Sequence, residues 1–390
     1  MAKVNRWLLP EGVEEILPRQ AWQIEQFRRR VLDLYRSWGY ELVIPPMIEY
    51  SESLLIGMGS DMDLQSFKLV DQMSGRTLAI RADITPQTAR IDAHSWKQDG
   101  PTRLCYTGTV LHTKPKSQLA SRTPIEVGAE LFGDADVHSD CEIISLMLAT
   151  IDAAGVDKVH LDLGHVGIYR ELVRDSGLDE AAQAQLFDAF DRKAQTEVDV
   201  ICAAADNAAA ANMIKALIKL NGDAGVIAEA RTVLVDAPAA VTEAFDTLQF
   251  IVDYLQANHP HTPIYIDLAE LRGYQYHTGL VYAAYIDGVG HSVANGGRYD
   301  GIGRLFGRER PATGFSANVN ALLPQIATGD PAGLILAPSL DQADEELLTT
   351  VAALRERGER VVHASSDASK PANCNQALVK ENGSWHIKAL

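Results

Sequence analysis

Strand-like runs lie on both sides of a long alanine-rich block, and that interruption most narrows the folds open to this chain. From about residue 168 to 259 the composition is helical, including Ala203–Ala211 broken only by Asp206 and Asn207. Runs with strand character precede the block at Thr77–Arg81, Arg103–Leu111, Ile125–Phe132 and Val159–Leu163. They return at Ile264–Leu268, Leu280–Ile286 and Ser292–Ala294. A sheet that opens before a helical block and closes after it makes an α+β core with an insertion. The first three runs read as adjacent antiparallel strands.

Local signals sharpen this outline. Apolar residues at Ile24, Phe27, Val31, Leu34, Tyr35 and Trp38 recur at helical spacing, and Gly39 stops the helix. A short strand, Tyr40–Ile44, then runs into Pro45 and Pro46, which cannot continue a central strand. Thr85 followed by Pro86 reads as an N-cap with proline at the first helical position. A helix from Cys141 to Ala153 ends at Gly155. Beyond Pro331, strand Leu334–Ala337, helix Asp344–Arg357 and strand Arg360–His363 form one small α/β unit. The expected division is a core over 1–325, carrying the insertion at about 168–259, and an α/β domain over 326–390.

Bulk properties exclude several classes. With 390 residues, 46% of them hydrophobic and 22% charged, the chain is globular rather than disordered. Cys105, Cys141, Cys202 and Cys374 lie far apart with no CxxC pair, so neither a zinc site nor a disulfide framework is signalled, and no metal is expected. No apolar run reaches bilayer length and the N-terminal segment lacks a signal-peptide core, so the expected location is the cytoplasm, with no membrane partner. A net charge of −17 repels polyphosphate, and the basic clusters at Arg28–Arg30, Arg304–Arg310 and Arg355–Arg360 are short.

Leu9–Val13, the following helix and Tyr40–Pro46 resemble motif one of the class II aminoacyl-tRNA synthetases, which builds the dimer interface in that family. Leu271-Arg272-Gly273-Tyr274-Gln275-Tyr276-His277-Thr278-Gly279 is similar to the first signature peptide of histidyl-tRNA synthetases, and Ala294-Asn295-Gly296-Gly297-Arg298-Tyr299-Asp300-Gly301 to the second. The likeness runs from about Leu9 to Leu322. It implies a class II synthetase-like antiparallel sheet core with a helical insertion, followed by a truncated anticodon-binding-like α/β unit.

The resemblance also implies a histidine pocket. Asp83 and Thr85 match the family's groups for the histidine ammonium, and Glu126 and Glu130 those for the ammonium and imidazole. Arg272 matches the arginine near the carboxylate. Tyr276 and His277 stand at a tyrosine pair, with His277 a departure, and Tyr299 closes the ring pocket. Buried carboxylates are selective partners for an ammonium or imidazole N–H, because a wrong ligand leaves a charge unpaired.

Departures fall on the ATP side. His112 stands at the motif-two arginine, Lys114 at the acid two residues on, and Ala321 at the motif-three arginine. Preorganised arginines stabilise the charge that develops in adenylate formation, so their loss removes useful activation. Synthetase fold, retained pocket and lost arginines together are similar to the regulatory-subunit family of short-form ATP phosphoribosyltransferase, a paralogue of histidyl-tRNA synthetase. That likeness implies a chain with no catalytic residues and no cofactor, homodimeric through its core and joined to the short-form catalytic subunit in a hetero-oligomer. L-histidine would be its feedback effector, and tRNA would not bind. The competing class is a residual histidyl-adenylate or histidyl-tRNA synthetase.

Overall fold

The computed structural model describes residues 7–56, 59–115, 120–327, 333–365 and 374–390. The chain divides into two compact units, 1–327 and 328–390.

The first helix, Pro18–Ser37, opens on proline at its first turn and turns Ile24, Phe27, Val31 and Tyr35 into the core. Each such burial contributes roughly 1.5–3 kcal/mol. Glu41–Leu42 follows as a short edge strand, parallel to Thr102–Thr109, and Val43 adds a backbone bond to Cys105 before the prolines end it.

The large sheet of the first unit has nine strands. Their order is Glu41–Leu42, Thr102–Thr109, Ile125–Phe132, Ala312–Asn318, Ala294–Arg298, Leu280–Ile286, Val159–His165, Ile264–Asp267 and Asn221–Gly222. The six strands from Thr102–Thr109 to Val159–His165 pair antiparallel throughout. Helix Val137–Asp152, capped by the Asp136 carboxylate on the His138 N–H, packs beneath with Ile143, Ile144, Met147 and Ile151 fully buried.

Three sequence expectations are corrected here. Thr77–Ile80 is not a neighbour of Thr102–Thr109; it is the middle strand of a separate three-stranded sheet with Ile48–Tyr50 and Lys68–Val70. Strand order depends on long-range packing that local composition does not carry. Thr85 is the first residue of helix Thr85–Arg90, not its cap; the Asp83 carboxylate accepts the Thr85 N–H instead, which frees the Thr85 hydroxyl. Strand Ala312–Asn318 was not anticipated, and the expected Ser292–Ala294 strand lies later, at Ala294–Arg298.

The insertion is helical as read, with helices Val166–Ser176, Glu180–Asp191, Gln195–Cys202, Ala208–Leu217, Val226–Val233 and Ala239–Asn258. Its one extended piece, Asn221–Gly222, joins the end of the large sheet. No described helix is long and apolar enough to cross a membrane. All four cysteines are free and buried.

The second unit is a four-stranded sheet, ordered Val361–His363, Leu334–Ala337, Cys374–Glu381, Ser384–Ala389, with helix Glu345–Glu356 packed on it. The first two strands and the helix follow the sequence reading. The closing hairpin, Cys374–Glu381 with Ser384–Ala389, was missed; Asn382 and Gly383 turn it at φ +50° and +87°.

Candidate functional site

Strand alternation builds the site. On Ile125–Phe132, Val127, Ala129 and Leu131 face the apolar core, which leaves Glu126, Gly128 and Glu130 on the opposite face. Glycines on this strand and its neighbours make room there. A Cβ at Gly128 would sit 2.4 Å from the Tyr106 phenol, and one at Gly314, directly across from Glu130, would lie 1.6 Å from the Glu130 Oε2. Small residues in the middle of the sheet are thus the condition for large polar ones above it.

Glu130 lies at the bottom of a cavity of about 360 Å³ and is 1% exposed. The Thr85 hydroxyl donates to its Oε1 at 2.8 Å, the Tyr106 hydroxyl to the same oxygen at 3.1 Å, and the Tyr299 hydroxyl to Oε2. All three donors are neutral. Burial therefore dominates and pushes the Glu130 carboxyl up to about 8; the hydroxyl bonds oppose this and the Asp83 charge reinforces it. Burial thus favours the protonated form of this carboxyl at neutral pH.

The walls come from the Leu271–Gly279 loop. Tyr276 stacks on Tyr299 with ring centres 4.9 Å apart, and His277 meets Tyr276 edge-on at 5.1 Å. Burial pushes the His277 imidazole down to about 4, so the ring is neutral. Arg272 stands at the rim and donates to the Tyr285 hydroxyl at 2.9 Å and to the Asn295 side-chain oxygen at 3.2 Å. Carboxyl, hydroxyls, aromatic faces and one guanidinium converge on a cavity in the size range of small-molecule sites.

Seven of the eight residues singled out from the sequence line this cavity: Asp83, Thr85, Glu130, Arg272, Tyr276, His277 and Tyr299. Glu126 does not. It lines an adjoining cavity of about 110 Å³ with His112 and Asn318, and Asn295 and Ser316 border both spaces. Four positions along a strand span about 13 Å, enough to carry a side chain of the same face into the next compartment. His112 is buried, its Nε2 3.0 Å from the Ala82 carbonyl, whereas Lys114 is exposed. Ala321 lies in the short helix Val319–Leu322.

Sequence reasoning missed Tyr106, Phe187 and Phe315. Tyr106 is on a strand the sequence shows, but its meeting with Glu130 depends on register. Phe187 reaches the cavity from the insertion, and nothing local marks it.

The family model described as histidyl-tRNA synthetase matches residues 12–322, and that of the ATP phosphoribosyltransferase subunit HisZ C-terminal domain matches 332–388. Over the full length of both chains, this chain is 52% identical to the ATP phosphoribosyltransferase regulatory subunit of Pseudomonas syringae pv. tomato and 51% identical to that of Azotobacter vinelandii. Among solved structures, an ATP phosphoribosyltransferase regulatory subunit/histidyl-tRNA synthetase from Bacillus halodurans superposes with a TM-score of 0.84 at 25% identity, covering 97% of this chain and 99% of that one. Histidyl-tRNA synthetase from Nostoc sp. PCC 7120 superposes at 0.77 with 17% identity over 98% and 97%, which establishes a common fold. With the synthetase-type core and the second C-terminal match on one chain, and full-length identity above one half, the chain belongs to the family of ATP phosphoribosyltransferase regulatory subunits.

Proposed function

We propose that this chain is the non-catalytic regulatory subunit of a short-form ATP phosphoribosyltransferase. It joins the catalytic subunit in a hetero-oligomer, raises the rate of the first step of histidine biosynthesis, and makes that step sensitive to L-histidine. The observation that carries the effector reading is Glu130. Its carboxyl is buried beneath Thr85, Tyr106 and Tyr299 in the same cavity as Asp83 and Arg272.

In this reading Asp83, Thr85 and Glu130 receive the ammonium and imidazole N–H groups, Arg272 pairs with the carboxylate, and Tyr276, His277 and Tyr299 enclose the ring. Glu126 acts from the adjoining cavity, toward the amino group. In this reading His112 and Ala321 stand where the synthetases place arginines, so the chain activates no amino acid and charges no tRNA. The core pairs as a homodimer, and the complex works in the cytoplasm.

The test is the initial rate of ATP and phosphoribosyl pyrophosphate condensation by a short-form catalytic subunit. It is measured alone and with this chain, with and without histidine. A higher rate with the chain, and inhibition by histidine only when the chain is present, are the expected results. Glu130→Ala raises the histidine concentration for half-inhibition at least tenfold while the complex still assembles on a sizing column. Unchanged inhibition rejects the pocket. An unchanged rate, with amino-acid-dependent exchange of pyrophosphate into ATP, returns the chain to the synthetases.

A further inference from the structure

Arg170 belongs to helix Val166–Ser176 of the insertion, outside every motif that marks the pocket. Its guanidinium donates to three backbone carbonyls of the loop that walls the cavity: Tyr274 at 2.9 Å, His277 at 2.8 Å and Thr278 at 3.3 Å. The same group lies over the Tyr274 ring, 4.9 Å from its centre. Tyr274 in turn packs edge-on against the buried Tyr169 at 5.3 Å and tilted against Phe187 at 5.4 Å. Where the helix begins, the Val166 N–H donates to the Gly279 carbonyl. One face of the loop is therefore seated on the insertion. The other presents Arg272, Tyr276 and His277 to the cavity, and Phe187 from the insertion lines that cavity too.

We propose that Arg170 is the positioning residue of the effector pocket, holding the Leu271–Gly279 loop in its ligand-ready conformation from the insertion side. Three carbonyls, at 274, 277 and 278, are more than one backbone N–H can serve. A planar fork with several N–H groups serves all three, and lysine, with a compact ammonium, does not. Because the loop is fixed to helix Val166–Ser176 and Phe187 comes from the next helix, the pocket and the start of the insertion form one mechanical piece. The inference rests on the proposed pocket for its biological meaning, but its structural content stands without a ligand.

The experiment separates the two. Amide hydrogen exchange of the full chain, without ligand, is followed in peptides covering 271–279 for wild type, Arg170→Gln and Arg170→Lys. Expected is exchange at least tenfold faster in that segment for both variants, with the strand 125–132 unchanged. Wild-type exchange at 271–279 in both variants overturns the proposal. If Arg170→Gln speeds exchange throughout the chain, Arg170→Lys decides, since it keeps the charge and aliphatic stem and lacks the fork. Histidine titrated calorimetrically into the same three proteins then tests the pocket separately. Weaker binding in the order wild type, Lys, Gln is expected, and equal affinity in all three overturns the positioning role. No heat with wild type refutes the histidine reading and leaves the exchange result to decide the loop's anchorage.

Discussion

Among the described residues Glu130 is held by three hydroxyl groups and no cation, which gives its titration a definite sign. Its carboxyl is raised to about 8 from an ordinary value of 4.5. The folded state thus holds a proton that the unfolded state has released, and the associated stability is complete below about 4.5 and lost as pH rises through 8. The buried His165 and His277, each lowered to about 4, act in the opposite sense and level off above the ordinary histidine value of 6.5. The interval from pH 7 to 8 therefore isolates the carboxyl. Between those values the wild-type melting temperature should fall, whereas Glu130→Gln, which cannot ionise, should be flatter; one proton over one pH unit changes stability by about 1.4 kcal/mol at most. Parallel pH profiles for the two proteins would remove Glu130 from its assigned environment. An ammonium ligand favours the ionised carboxyl, so histidine binding at pH 7 should release protons, which titrations in buffers of different ionisation enthalpy would count.

At the scale of elements, the closing hairpin of the second unit depends on its two-residue turn. Asn382 and Gly383 both take positive φ, the geometry of a turn whose twist matches its strands. Gly383→Ala should destabilise residues 333–390 by about 1 kcal/mol and leave the core's unfolding transition unmoved, read by hydrogen exchange in each unit. This turn was legible as Asn-Gly between strand-like residues and was passed over. The first helix was legible from Ile24 to its end, because periodic apolar residues and Gly39 mark it without reference to anything distant, whereas its start at Pro18 was not. Ala312–Asn318 was not. Its alanines, glycine and serine show no strand pattern, and the reason Gly314 is small, the Glu130 carboxylate a Cβ there would meet, belongs to another strand. In the same way the pocket residues inside the two signature peptides could be named from the sequence. Arg170 and Phe187 could not, because their importance lies in what a separate element brings to them.

On the scale of the whole molecule, large apolar side chains are left uncovered along the motif-one segment. Leu17, Trp22, Leu42, Ile44, Met47 and Ile48 are all exposed, with Ile44 at 83%. Concentration of apolar surface in one stretch marks an association surface. In the proposed homodimer that surface is covered, and Ile44→Asp should shift the sedimentation coefficient from dimer toward monomer while far-UV circular dichroism stays unchanged. A dimer that persists in this variant would place the contact elsewhere. The strand order carries a consequence for how such a chain is made. Strand Ile125–Phe132, which bears Glu130, pairs on one side with Thr102–Thr109 and on the other with Ala312–Asn318. During synthesis that second edge has no native neighbour until the whole insertion, three further strands and then Ala312–Asn318 itself have left the ribosome, roughly 10–40 s at about 5–20 residues per second. The growing polypeptide spends that interval with an unpaired hydrogen-bonding edge at the centre of the proposed binding site, a template for wrong partners.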